Sequence, residues 1–529
     1  MTDLAISELT SVADIARQQA DIRPEKIAFM STQSSLTYAA LNSGASQAAN
    51  GFLSLGLKPN DRICYLGKNT AEYYQLIIAA SKAHFVMCPV NWRLALRELT
   101  YIISDAQAEI LFVSSEFAET ALALKDAIPG LEHIFCVEEN THGLSVYGPW
   151  RDQFSDSDPN LAHDLNDDAV QLYTSGTTGN PKGAVIPNRG LLESYRRRVH
   201  YPNPDWNVWT DKDISLVAMP CFHIGGTSWG LTTIGNGATG VIMREFDPTL
   251  VLDYIAQYKI SKIFLVPAAI QFIVNQPQVD DVDFSQLNHI LYGASPIPLA
   301  LLKRAIEVFD CGFVQMYGMT ETSGTIVALP PEDHDVNGNK KMSSAGKALE
   351  GVELTILDEN GNPLGPRETG EIATRSPMNM TRYWNLPDAT QKTLSTDGWL
   401  RTGDAGYLDE DGYVFIQDRV KDMIISGGEN IYPAEVENAI YDHPDITDVG
   451  VIGIPDEKWG EAVKACVVRK EGATLSEADV ISWARENIAA YKCPKSVDFI
   501  DSLPRNPSGK ILRKDLRAPY WDANKRNVN

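Results

Sequence analysis

The sequence predicts an α/β fold, and three observations carry the prediction. Short apolar runs alternate with helical patterns up to about residue 330, as in layers around a mainly parallel sheet. From 350 to 418, Asn-Gly and Asp-Gly turns separate alternating strands, so hairpins replace crossovers. Beyond Asp418 the pattern contracts to a small α+β unit. A chain of 529 residues has room for about two to four domains. At 44% hydrophobic and 22% charged residues, its balance is that of a soluble globular protein.

The elements follow in order. "RICYL" reads as a strand, "TAEYYQLIIAASKA" as a helix, "FVMCPV" as a strand, "LRELTYIISDA" as a helix and "EILFV" as a strand. The acidic stretch 155–168, "SDSDPNLAHDLNDD", reads as a connector. "VELTILDENGNPLG" and "GYLDEDGYVFIQD" supply the hairpins. In the last unit Pro433 opens a helix, "DVGVIGI" and "AVKACVV" are strands, and Ser476 with Asp479 forms a capping-box start. "GNGATG" (235–240) fits the dinucleotide fingerprint G-x-G-x-x-G, but a strand follows it where a helix is needed. It is read as a glycine turn.

Bulk properties narrow the partners. A net charge of −23 argues against nucleic acid or an anionic membrane. No apolar run approaches the ~18 residues of a membrane span, and "MTDLAISELT" carries no secretion signal. Cys64, Cys88, Cys136, Cys221, Cys311, Cys466 and Cys493 are scattered and lack C-x-x-C spacing. They read as reduced thiols in a cytoplasmic protein.

"YTSGTTGNPKG" (173–183) is the strongest local signal. The position five after Gly176 is Pro181 and Gly183 follows Lys182, so it is not a Walker loop. Its glycines still let successive N–H groups converge on one anion, with hydroxyls and Lys182 beside them. "AVQLY" and "GAVI" pin the loop between buried strands. Phosphate binding is the expectation.

Four further stretches lie in order: "YGMTET" (317–322), "WLRTGD" (399–404), "DRVKDMIISGGENIYPAEVE" (418–437) and "PRNPSGKIL" (504–512). With the loop, they make the chain similar to the adenylate-forming superfamily, from about residue 10 to 517. The resemblance is greatest to bacterial fatty-acyl-CoA ligases. It implies a large N-terminal domain, 1–418, of several subdomains with a β-barrel-like part. It also implies a mobile C-terminal lid, 422–529, turning near Lys421. The implied reaction joins a carboxylate to CoA through an acyl-AMP, with ATP, Mg2+ and CoA as cofactor and co-substrates. A homodimer is left open.

The resemblance also assigns residues. Thr174, Ser175, Gly176, Thr177, Thr178, Gly179 and Lys182 would hold the phosphates. Gly293, Ala294, Ser295, Tyr317 and Gly318 would form the adenine slot, with Asp404 and Arg419 on the ribose, and Met319, Thr320 and Ile416 would also bind ATP or AMP. Glu321 and Thr178 would ligand magnesium. Lys510 would bridge carboxylate and α-phosphate, and together with Glu321, Thr320 and His223 makes the catalytic set. Gly427, Gly428, Glu429, Trp459 and Lys495 would meet CoA. His223, Gly226, Trp229, Val266, Gly293 and Met319 would line an apolar acyl pocket without an arginine or lysine for a second carboxylate. "YRRRVH" (195–200) reads as a solvated helix face, with a CoA phosphate as its alternative.

A fatty or similar apolar monocarboxylic acid is the expected substrate. A methylmercaptopropionate, aryl or steroid-side-chain acid is the alternative. An amino-acid adenylation module would need an aspartate where His223 stands, and no carrier domain follows before Asn529. A luciferase-like oxidase would share the motifs. A pseudoenzyme would be expected to lose Lys182, Glu321, Asp404 or Lys510, and all four are present.

Overall fold

The computed structural model of the protein describes residues 8–32, 34–139, 142–174, 180–419, 422–426, 429–456, 458–506 and 509–521. Two large sheets form the body. In the nine-stranded sheet Ile27–Met30, Thr239–Ile242, Ile214–Val217, Lys262–Leu265, His289–Gly293 and Gly312–Met319 run parallel. Antiparallel strands close it at both edges. In the eight-stranded sheet the parallel core is Asp168–Thr174, Val86–Val90, Arg62–Leu66, Ile110–Val113, His133–Cys136 and Ser145–Val146. Both sheets are covered by helices, which is why strands such as Arg62–Leu66 and Val86–Val90 are buried at every residue rather than at every second one.

The expected hairpin region is a third, four-stranded antiparallel sheet: Glu353–Leu357, Gly370–Arg375, Trp399–Leu408 and Val414–Arg419. It is the barrel-like part, tied to the body by a bridge between Gly346 and Val414. The last unit has five strands, with Gly460–Arg469 between Ile446–Asp456 and the parallel Ser496–Phe499. Its core of Ile424, Ile431, Val436, Ile440, Val451 and Val463 is its own. Each such side chain, fully buried, stabilises the unit by about 1.5–3 kcal/mol. Pro433 opens the helix Pro433–Tyr441, and Ser476 caps Glu477–Asn487 with Asp479 as its partner.

"GNGATG" is a turn between the helix Ile224–Gly235 and the strand Thr239–Ile242, with Gly237 at φ +70°. All seven cysteines are free, six of them buried. Among the described residues no helix is long and apolar enough to cross a membrane.

Candidate functional site

The strands flanking the phosphate loop pair with each other. Asp168–Thr174 and Lys182–Pro187 are antiparallel, with Thr174 opposite Lys182, and form a hairpin within the eight-stranded sheet. Ser175, Gly176, Thr177, Thr178 and Gly179 lie outside the described residues. The strand Gly312–Met319 ends beside this hairpin, and a short turn, Thr320–Thr322, carries Glu321. Thr322 holds that turn by accepting from Met319 N at 3.0 Å and donating to Gly324 O at 2.6 Å.

Glu321 is 5% exposed, so its carboxylate needs partners. Tyr383 Oη donates to Glu321 Oε1 at 2.7 Å, and Thr174 Oγ1 lies 3.5 Å from the same oxygen. Lys182 Nζ sits 4.9 Å from the centroid of the Tyr383 ring, a cation–π distance. Tyr383 arrives on a two-residue strand, Arg382–Tyr383, that adds to the hairpin with Tyr383 opposite Ala184. Sequence reasoning missed it. Its signal, an aromatic pair in "TRYWN", gives no hint of which sheet edge it joins.

The cavity above this floor has a volume of about 1780 Å³ and is lined from all parts of the chain. Thr174, Lys182, Ala294, Gly318, Met319, Thr320 and Glu321, all expected at the nucleotide, line one end of it. Gly293 and Gly318 have close backbone neighbours: a Cβ on either would stand about 2 Å from a carbonyl oxygen, of Met316 and Gly324 respectively. Ala294, at φ +68°, and Ser295 continue from the end of the strand His289–Gly293. Tyr317 Oη donates to Asp404 Oδ2 at 2.8 Å, and Tyr317 and Ile416 pack on one apolar cluster. Asp404 pairs with Arg419 across adjacent strands.

Lys510 enters the cavity from the C-terminal unit. Its loop closes by paired bonds, Asn506 N to Lys510 O and Lys510 N to Asn506 Oδ1, both 2.8 Å. Arg505 holds the loop from both sides, donating to Gly509 O at 2.6 Å and to the two oxygens of Asp448 at 2.9 and 2.8 Å. Gly509, at φ +78°, lets the loop lie on the body: a Cβ there would be 3.1 Å from Val266 Cγ2. Asp422 also faces the cavity. Burial would raise its pKa, but Arg517, Arg513 and Lys510 outweigh that and hold it below the ordinary value.

At the other end the helices Asn188–His200 and Ile224–Gly235 face each other. His223 caps the second helix and lines the cavity, and its Nε2 is buried with no hydrogen-bond partner among the described residues. Burial, with a smaller push from Arg93, lowers its pKa to about 4, so the ring is neutral at pH 7. Trp229 is fixed by Nε1 donating to Leu216 O at 3.0 Å and packs against Trp209 and Phe264.

Four expectations about this end are corrected. "YRRRVH" is not a solvated face. Arg196 donates to Leu9 O at 2.9 Å, and Arg197 and Arg198 line the cavity together with Trp206 and Trp209 of the loop after the helix. The pocket therefore is not free of arginine. Val266 packs under Gly509 rather than lining the cavity. Gly226 is buried in its helix, where a Cβ would stand 2.1 Å from Pro220 O. Asp213, the nearest buried aspartate in sequence, is engaged by Ser261 Oγ at 2.7 Å and Thr210 N at 2.7 Å.

Of the expected CoA contacts, Trp459 and Lys495 do not line the cavity. Trp459 is 42% exposed with Lys458 Nζ 4.4 Å from its ring centroid, and Lys495 is exposed. Gly427, Gly428 and the hinge Lys421 lie outside the described residues, as do the side chains of Glu429 and Arg419.

A buried carboxylate, Glu321, and two lysines, Lys182 and Lys510, thus meet at one cavity, beside the strands that flank the loop expected to bind phosphate. The family comparison agrees. Residues 16–384 match the AMP-binding enzyme family and 435–510 its C-terminal domain. The chain is 40% identical over 524 residues to the fatty acid–[acyl-carrier-protein] ligase ScoC of Streptomyces coeruleorubidus, covering 99% of both chains. It is 36% identical to a feruloyl-CoA synthase of an Amycolatopsis species, over 95% of this chain and 98% of that one. The crystal structure of ATP-bound MatB from Rhodopseudomonas palustris superposes with a TM-score of 0.87 at 29% identity, covering 97% and 99%. The chain belongs to the AMP-binding enzyme family, and is an enzyme of the acid–thiol ligase class.

Proposed function

We propose that the protein is an ATP-dependent carboxylate:CoA ligase. One observation carries the reading: Lys510 from the C-terminal unit and Glu321 from the body line the same cavity, beyond the phosphate-loop hairpin. A carboxylate is a poor acyl donor because oxide is a poor leaving group. Its oxygen attacks the α-phosphorus of ATP, the bond to the β-phosphate oxygen breaks, and an acyl-AMP forms with pyrophosphate leaving. A CoA thiolate then attacks the acyl carbon and AMP departs. Both steps are governed by charge and positioning.

Lys510 neutralises the approaching carboxylate and α-phosphate, and Lys182 the departing phosphates. Asp404 accepts from the ribose hydroxyls, and the Gly293–Ser295 and Tyr317–Met319 walls hold the base. The donor set around Glu321 fits Mg2+, which takes one or two carboxylates plus substrate phosphates. Glu321 and Thr178 would hold it, and it would supply charge for the triphosphate. The acid lies with its body against Trp229, Phe264 and Met319, which suits a fatty or aryl acid.

The domain reading, 1–418 and 422–529 joined at Lys421, accounts for the exposed Trp459 and Lys495. A turn of the lid withdraws Lys510 and brings Gly427, Gly428 and Glu429 to the acyl-AMP, with Trp459 and Lys495 on CoA. Lys421→Pro fixes φ near −65° and hinders that turn. It should spare pyrophosphate release and slow thioester formation. Equal loss in both half-reactions, with the fold intact, would remove the hinge.

Pyrophosphate release with ATP and a panel of carboxylic acids tests the first step. Thioester formation with CoA, and in parallel with a phosphopantetheinylated acyl carrier protein, tests the acceptor. A panel that gives no pyrophosphate, or a carrier protein that outcompetes CoA, would overturn the proposal.

A further inference from the structure

The helix Asn188–His200 runs along one wall of the cavity. Near its start Gly190 touches Ser323, two residues after Glu321: a Cβ there would meet Ser323 Oγ at 2.3 Å. From there Ser194, Arg197 and Arg198 follow on the same face, and all line the cavity. At 1.5 Å per residue, the two arginines stand about 10–12 Å from the nucleotide end along the helix axis.

Their guanidinium groups are under-used. Arg197 Nε, Arg198 Nε and Arg198 Nη2 are buried and have no hydrogen-bond partner among the described residues. Arg197 Nη2 reaches only a thioether, Met378 Sδ at 3.2 Å, and Arg198 Nη1 reaches Asn236 Oδ1 at 2.6 Å. Arg198 also lies over the Tyr195 ring at 5.6 Å. Glu193, one turn back, and Glu350 on the cavity lining act on Arg197 electrostatically, but no carboxylate among the described residues comes within ion-pair distance of either arginine. Burial pushes both groups below the ordinary arginine value, yet a guanidinium keeps its charge at any pH the protein meets. Buried donors without acceptors are costly, and a planar fork prefers a carboxylate or another anionic oxygen group.

We infer that the acid activated here carries a second anionic oxygen group, received by Arg197 and Arg198 at the far end of the acyl pocket. The inference rests on the proposed ligase reading and names its substrate class: a diacid whose distal carboxylate sits two helical turns from the one that is adenylated. Between the two, Trp229, Trp209 and Phe264 provide an apolar sleeve. Ser194, Ser228 and Thr232, also on the lining, soften its far half. Because the arginines are half-buried on the cavity wall, with three of their nitrogens fully enclosed, rather than spread over an outer face, a CoA phosphate is the less fitting occupant.

Matched acids of equal length test it: octanoate against octanedioate, and phenylpropionate against its para-carboxy derivative, by pyrophosphate release. The wild type should favour each diacid by at least about tenfold in kcat/KM. Arg197→Met and Arg198→Met should each shift that ratio about 10–100-fold toward the monoacid, the range for a hydrogen bond to a charged group. Arg197→Lys should recover part of the ratio. Monoacids turned over without diacid preference, with a ratio the substitutions leave untouched, would overturn this inference while leaving the ligase reading intact. No pyrophosphate from any acid would overturn the ligase reading instead. Should a variant fail to fold, the wild-type ratio alone decides.

Discussion

The two ends of the cavity are built on opposite terms. At the nucleotide end polar groups are already spoken for: Glu321 by Tyr383, Asp404 by Tyr317, and Glu371 by Arg401 and Gly403 N. At the acyl end His223 Nε2 and three guanidinium nitrogens wait without partners among the described residues. Satisfied networks hold one geometry, which suits a reaction that is the same for every substrate. Unsatisfied groups ask for a ligand that completes them, which suits discrimination. On the proposed reading, the difference teaches that chemistry is fixed by strand ends, and choice by the faces of two helices.

The strongest way to break the contrast is at Lys510. Lys510→Ala should lower pyrophosphate release by about 10²–10³-fold, the usual cost of one such electrostatic contact. Thioester formation from supplied acyl-adenylate should survive. An unchanged adenylation rate would remove Lys510 from the first step.

Next in size is Tyr383→Phe. It deletes a 2.7 Å bond to a buried carboxylate and should slow adenylation about tenfold or more, because bonds to charged groups contribute about 1.5–3 kcal/mol. The effect should be alike for every acid in the panel. An acid-dependent effect would mean that the two ends are not separate.

The smallest effect is acid stability. Burial holds the His223 pKa at about 4 against an ordinary 6.5. The unfolded chain therefore binds more protons between those values. Stability from the neutral ring is full above pH 6.5 and is lost as pH falls toward 4. Urea midpoints at pH 7 and pH 5 should differ less for His223→Gln than for the wild type. An equal drop in both would show that the ring does not titrate on unfolding.

Much of this was legible from local pattern. The pinned loop, the hairpins between 350 and 418, Pro433 as a helix start and the Ser476 cap all rest on neighbours within a few residues. What was hidden depends on distant chain. Tyr383 joins a strand edge formed some two hundred residues earlier, and no periodicity encodes that. The three arginines of "YRRRVH" look solvated in sequence, but Arg196 is taken by Leu9 O and the other two line the cavity with Trp206 and Trp209. Yet Gly190, Ser194, Arg197 and Tyr201 repeat at helical spacing, so the face itself could have been counted.

The two-residue strand Arg382–Tyr383 also has a consequence for biosynthesis. Glu321 emerges from the ribosome 62 residues before the hydroxyl that orients it. Until that segment is made and docked in register with Ala184 and Val185, a nascent chain carries the phosphate loop but an unfinished floor. A truncated product that ends before residue 382 thus keeps Glu321 without its Tyr383 partner.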